Sequence, residues 1–280
     1  MLEHDGVTGP YGRPVEVTSV NESSTILAIS WSHGIPFKLA TSDELARIRR
    51  ITELTQHLLV EGTAGAYEAY DNTDIEPFII RYFRKTHPKA KKGNTSLVFL
   101  EEGVDMPRLM GQYGMLPLES LFYVMGKSII ANMKSGAELS DRELNMLSAM
   151  LFSTIGHSSL GRDLFNLGIR AFYDTPLLNR HGITEESLPV LAKRVNSFRS
   201  KVRDKAVFHG HVRQLRHDLP GQMTVVAGSS HVAAITLALQ NRDNNVQLPS
   251  WQGFCKNLGQ DERQTAVAVS QLAASLANHA

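Results

Sequence analysis

The sequence predicts an α/β fold, a mostly parallel sheet flanked by helices with a helical insertion, and three observations carry that expectation. Short apolar runs alternate with stretches of helical spacing over the first hundred residues, as at Ile26 to Trp31, Leu58 to Val60 and Leu97 to Leu100. A late apolar run, Met223 to Ala227, is followed at once by a second apolar stretch, Val232 to Gln240, of helix length. Between these two parts the pattern is helical throughout, which predicts an insertion at about 110 to 205 within a single domain from 25 to 280.

Residues 1–24 are polar and turn-rich, with Gly6, Gly9-Pro10, Gly12 and Pro14, and predict a flexible tail. No basic segment precedes an apolar one, so a Sec-type signal is not expected; a polar start of this kind also suits a non-cleaved bacterial secretion signal. Ile26 to Trp31 is read as a buried strand that stops at Ser32-His33-Gly34. Thr41 with Glu44 three residues later forms a capping box, and Leu45, Ile48, Ile51 and Leu54 continue a helix from it. The strand His57 to Glu61 follows, so strand, helix and strand make one β-α-β unit.

A helix with Ile75, Phe78, Ile79, Tyr82 and Phe83 on one face comes next, then a strand from Leu97 to Leu100 ending in Glu101-Glu102-Gly103. The helical middle is marked by Leu118, Leu121 and Phe122, by Leu144, Leu147, Met150 and Leu151, by Leu164 and Phe165, and by Leu188 to Val202. Gln264 to Asn278 predicts a terminal amphipathic helix.

Composition narrows the function classes. The 29 basic and 28 acidic side chains nearly cancel, so no overall field steers the chain to nucleic acid or an anionic membrane, and a nucleic-acid partner is not expected. One local exception is the stretch from Lys193 to Arg216, with eight Lys/Arg against the single acid Asp204, which suits an anionic partner. The lone Cys255 forms no disulfide framework. No apolar run reaches the roughly 18 residues of a membrane span.

In a parallel sheet the carboxyl ends of the strands share one edge, where open sheets place their chemistry. His33, Glu61, Glu101 and His231 all stand at such ends and converge if their strands are neighbours. Ser230 is the expected N-cap of the helix carrying His231, which puts the imidazole near the positive helix end and favours its neutral form. His33, Glu61 and His231 are therefore the candidate catalytic residues. Glu61 would act as general base on water, with the histidines polarising substrate or stabilising an oxyanion. Arg47 or Arg50, on the helix after His33, is the expected clamp, and Glu101 and Ser230 complete the supporting set. His209-Gly210-His211, with His217 near, has metal-like spacing but lacks a carboxylate, and a solvated basic helix is the plainer reading.

With Ser32-His33-Gly34, Leu59-Val60-Glu61 and Ala227-Gly228-Ser229-Ser230-His231-Val232 in this order, the chain resembles the superfamily of EreA-type erythromycin esterases, ChaN-like haem-binding lipoproteins and TraB/Tiki proteins. The resemblance covers about Ile26 to Glu61 and Met223 to Leu239. Within it the chain is most similar to secreted bacterial type III effectors of the HopBA kind. The resemblance implies a hydrolase scaffold delivered into a host cell, where it triggers cell death, with a host protein or small molecule as target. Esterase-like members carry Gly-Glu before the first histidine region, where this chain has Ile29-Ser30-Trp31-Ser32. No cofactor is expected for the hydrolase. The rival expectations are a non-catalytic effector that binds a host protein, a haem- or metal-binding protein as ChaN-like members imply, and, without secretion, a cytoplasmic protein.

Overall fold

A computed structural model describes residues 15–30, 36–68, 74–88, 95–126, 129, 140, 173–245 and 247–278. The expectation of a fold built on a helix-flanked sheet is corrected: the chain is predominantly helical, with one small five-stranded sheet among the described residues. The reason is the size of the elements. Among the described residues no strand exceeds the seven of β1 (Val15–Asn21), while the Gln260–Asn278 helix alone has 19. The chain divides into two compact units, Met1–Glu102 with Asp204–Asn245 and Gly103–Arg203 with Val246–Ala280. Much of the helical middle, including Leu144, Leu147, Met150, Leu151, Leu164 and Phe165, lies outside the described residues.

The first unit holds the sheet, in the order β1-β2-β5-β3-β4. β2 (Ser24–Ile29), β5 (Met223–Gly228), β3 (His57–Val60) and β4 (Ser96–Phe99) run parallel, and β1 is antiparallel to β2 at one edge. β1 falls inside the stretch expected to be a flexible tail. Its alternation of Val15 and Val17 with Glu16 and Thr18 is the period of an edge strand, with only Val15 fully buried. Period-two alternation also splits the central strands. Leu27, Ile29, Leu58, Val60 and Val226 join Ile48, Ile75, Ile79 and Phe83 in one core. The alternate residues Ile26, Ala28, Leu59, Val225 and Ala227 are equally buried, and β2 and β5 contact the Val232–Leu239 helix.

The predicted capping box is present. Thr41 Oγ1 accepts from the Glu44 N–H at 3.2 Å, and the Thr41 N–H donates to Glu44 Oε2 at 2.8 Å, opening the Ser42–Leu54 helix. A cap of this kind is worth about 1 kcal/mol.

The second unit is helical in its described elements and has its own core, including Phe122, Leu191, Phe198, Trp251, Val269 and Leu272. At its centre Glu119 is buried, and its carboxylate accepts from Trp251 Nε1 at 2.8 Å, from the Ser270 hydroxyl and from the Leu116 N–H. Burial pushes the Glu119 carboxyl above the usual carboxylate range, against these three donors. Among the described residues no helix is long and apolar enough to cross a membrane.

Candidate active site at the carboxyl edge of the sheet

The sheet order makes neighbours of the strands that carry the candidate residues. β5 lies between β2 and β3, with Ile29 opposite Gly228 and Val60 opposite Val226. Glu61 continues from β3 with its N–H donating to the Val226 carbonyl at 2.9 Å, so its carboxylate stands beside the end of β5. Gly62 then takes φ +87°, a left-handed conformation natural to glycine, and turns the chain off the strand.

Glu61 and His231 meet. The Gly228 N–H donates to Glu61 Oε2 at 2.6 Å, and His231 Nε2 lies 3.5 Å from Glu61 Oε1. Both side chains are nearly sealed from solvent, at 4% and 5% exposure, so each charge depends on its protein partners. The backbone is close as well: a Cβ on Gly228 would stand 3.3 Å from Glu61 Oε2 and 3.8 Å from His231 Cδ2.

A third member was not among the candidates. His231 Nδ1 lies 2.6 Å from Asp204 Oδ1, so the imidazole stands between two carboxylates, one on each nitrogen. An ionised carboxylate only accepts, which places a proton on Nδ1 and directs Nε2 toward Glu61. Asp204 opens a π-helix, Asp204–His211, and Phe208 four residues on stacks on the imidazole at 3.9 Å between ring centroids and 17° between planes. The ring is thus fixed at an edge and on a face. π-helical turns are rare and often mark functional sites. The sequence signal for Asp204 was its isolation, one acid among eight cations, which reads equally as charge balance on a solvated face.

The other candidates fall differently. His33 and its neighbours Ser32 and Gly34 lie outside the described residues. Glu101 is buried, and its N–H donates to the Gly62 carbonyl at 3.0 Å, which puts it on the same edge of the sheet as Glu61. Arg47 and Arg50 are exposed because Ile48 and Thr52 take the buried side of their helix, and Arg49 lies over the rings of Phe78 and Tyr82. Ser230 is not a helix cap. It is the exposed middle residue of a 3-10 turn, Ser229–His231, and the helix begins after it at Val232, with His231 itself at the cap position.

The expected solvated histidine cluster is also corrected. His209 is buried, with Nε2 2.6 Å from the Arg242 carbonyl, and His211 Nδ1 lies 3.1 Å from the Leu100 carbonyl. These bonds tie the π-helix to the loop after β5's helix and to the end of β4. Among the described residues no group of three or more His, Cys, Asp or Glu is arranged to hold a metal ion.

The chain matches no family model, no curated protein and no solved structure.

Proposed function

We propose that the first unit carries a hydrolase centre in which Glu61 is the general base and His231, oriented by Asp204, is the proton carrier. In this reading a water or substrate hydroxyl bonds between Glu61 Oε1 and His231 Nε2. Glu61 takes the proton of the attacking water as its oxygen bonds to the substrate's electrophilic carbon. Glu61 passes that proton to the bare Nε2 of His231, which gives it to the departing oxygen as the carbon–oxygen bond breaks, and Asp204 stabilises the imidazolium in between. His33 is assigned the polarisation of the substrate, as the sequence pattern suggests.

One observation carries the proposal: a buried imidazole bonded through Nδ1 to one carboxylate and facing a second through Nε2. Pairs of titratable groups held in a shared, water-poor site suit acid–base work. The finer reading, a secreted bacterial effector of the HopBA kind that acts on a host protein or small molecule and triggers cell death, is supported by the resemblance of the strand ends and by the polar N-terminal residues.

Purified wild-type protein, E61Q and H231A should be compared on p-nitrophenyl esters, and the same three forms expressed in host cells and scored for death. Each variant is expected to lose roughly 10²- to 10⁴-fold in rate, the usual contribution of an acid or base, while staying folded. Full activity in both folded variants rejects the reading. A second reading follows from burial itself: Asp204, His231 and Glu61 act as a polar lock joining the π-helix to β3 and β5. That reading predicts a large fall in melting temperature for H231A, and cell death undiminished wherever the variant folds.

A further inference from the structure

At the opposite, amino-terminal ends of β2 and β5, the first unit has a cleft of about 800 Å³, lined among others by Asn21, Ser23, Arg213, Arg216, His217 and Arg242. We propose that this cleft binds a small phosphate-bearing ligand. Arg213 and Arg216 are three residues apart on the Val212–Asp218 helix and so share a face. Both guanidinium groups are held in place: Arg213 Nε donates to Asn241 Oδ1 at 2.9 Å and Nη1 to Asp243 Oδ1 at 2.6 Å, while Arg216 Nη2 donates to Ser23 Oγ at 2.7 Å. Ser23 is itself fixed by Asn21, whose Nδ2 reaches the Leu239 carbonyl at 3.3 Å.

The charge does not cancel. Asp243 offsets Arg213, and Asp218 lies 3.0 Å from His217, but Arg216 bonds a neutral hydroxyl and Arg242 engages no side-chain partner among the described residues. Two guanidinium groups without a carboxylate partner suit a phosphate monoester, and their planar forks match its oxygens. The far wall is rigid too. Gly221, at φ +122°, lies against the Gln56 side chain, whose Oε1 accepts from the Gln222 N–H at 2.9 Å. A preorganised cleft loses little entropy on binding.

The test is calorimetric titration of the full chain with pyrophosphate and with inorganic phosphate, alongside R216A, R242A and E61Q. Pyrophosphate is expected to bind, to weaken about tenfold or more in each arginine variant, and to be unchanged in E61Q, which separates this cleft from the proposed hydrolase centre. Co-sedimentation with phosphatidylcholine vesicles containing phosphatidylinositol 4-phosphate distinguishes a soluble ligand from a lipid headgroup. Absence of heat with both soluble probes, equal binding in the folded arginine variants, or binding to vesicles alone overturns the proposal.

Discussion

Asp204 Oδ1 and His231 Nδ1 lie 2.6 Å apart across 27 residues of sequence, and this bond decides which nitrogen of the imidazole faces Glu61. Replacing Asp204 by Asn keeps the shape but lets the amide donate to Nδ1, which favours the other tautomer. The expected result is a loss of roughly 10³- to 10⁴-fold in ester hydrolysis, with a changed tautomer in the ¹⁵N spectrum of His231. An unaltered spectrum and rate in D204N would remove Asp204 from the site.

Gly228 approaches the same carboxylate from the backbone. Its φ of −58° accepts any residue, so alanine there adds a methyl 3.3 Å from Glu61 Oε2 without backbone strain. G228A is therefore expected to keep its melting temperature within a few degrees and to lose roughly tenfold in rate through displacement of Glu61. A large fall in stability with unchanged rate per folded molecule would contradict this.

Glu119 makes the second unit sensitive to pH. Burial raises its carboxyl pKa in the folded chain above the ordinary 4.5, so the folded state binds this proton more tightly than the unfolded state. Its stabilising contribution is full below the unfolded value and is lost as pH rises through the folded value. Urea unfolding of wild type and E119Q from pH 4.5 to 7.5 is expected to show wild type losing stability relative to the variant as pH rises. Parallel curves would exclude Glu119 as the titrating group.

Cys255 is half-buried, and burial first, then the nearby Glu119 charge, pushes its thiol up to about 12. At pH 8 only about one molecule in 10⁴ then carries a thiolate, against roughly a quarter for an ordinary cysteine. Iodoacetamide should label the native chain roughly 10³-fold more slowly than the urea-unfolded chain. Equal rates would show a thiol open to solvent.

What the sequence disclosed was mostly local. The capping box of Thr41 and Glu44, the strand ending at Glu61 and the strand before Gly228 are set by neighbours in the chain, and each stands where periodicity indicates. β1 was hidden because its alternation is brief and adjoins glycine and proline, and an edge strand needs little apolar content. The balance of helix and strand was misjudged because four-residue strands were weighed equally with much longer helices. Asp204 and the Glu119–Trp251 bond were hidden for a different reason: each joins residues far apart in sequence, and pairing of that kind leaves no period. The arginines after His33 were displaced by rotation alone, since Ile48 and Thr52 claim the buried side.

The place of β5 between β2 and β3 has a consequence for the order of folding. β2 and β3 do not pair with each other; each pairs with β5, whose residues leave the ribosome some 160 or more positions later. Until then the nascent chain carries two short apolar strands with open edges, a state that invites chaperone capture or mispairing. Such long-range closure is slow, and the Glu61–His231 pair can form only when it is complete. Truncation before Gly228 should therefore yield an aggregation-prone product.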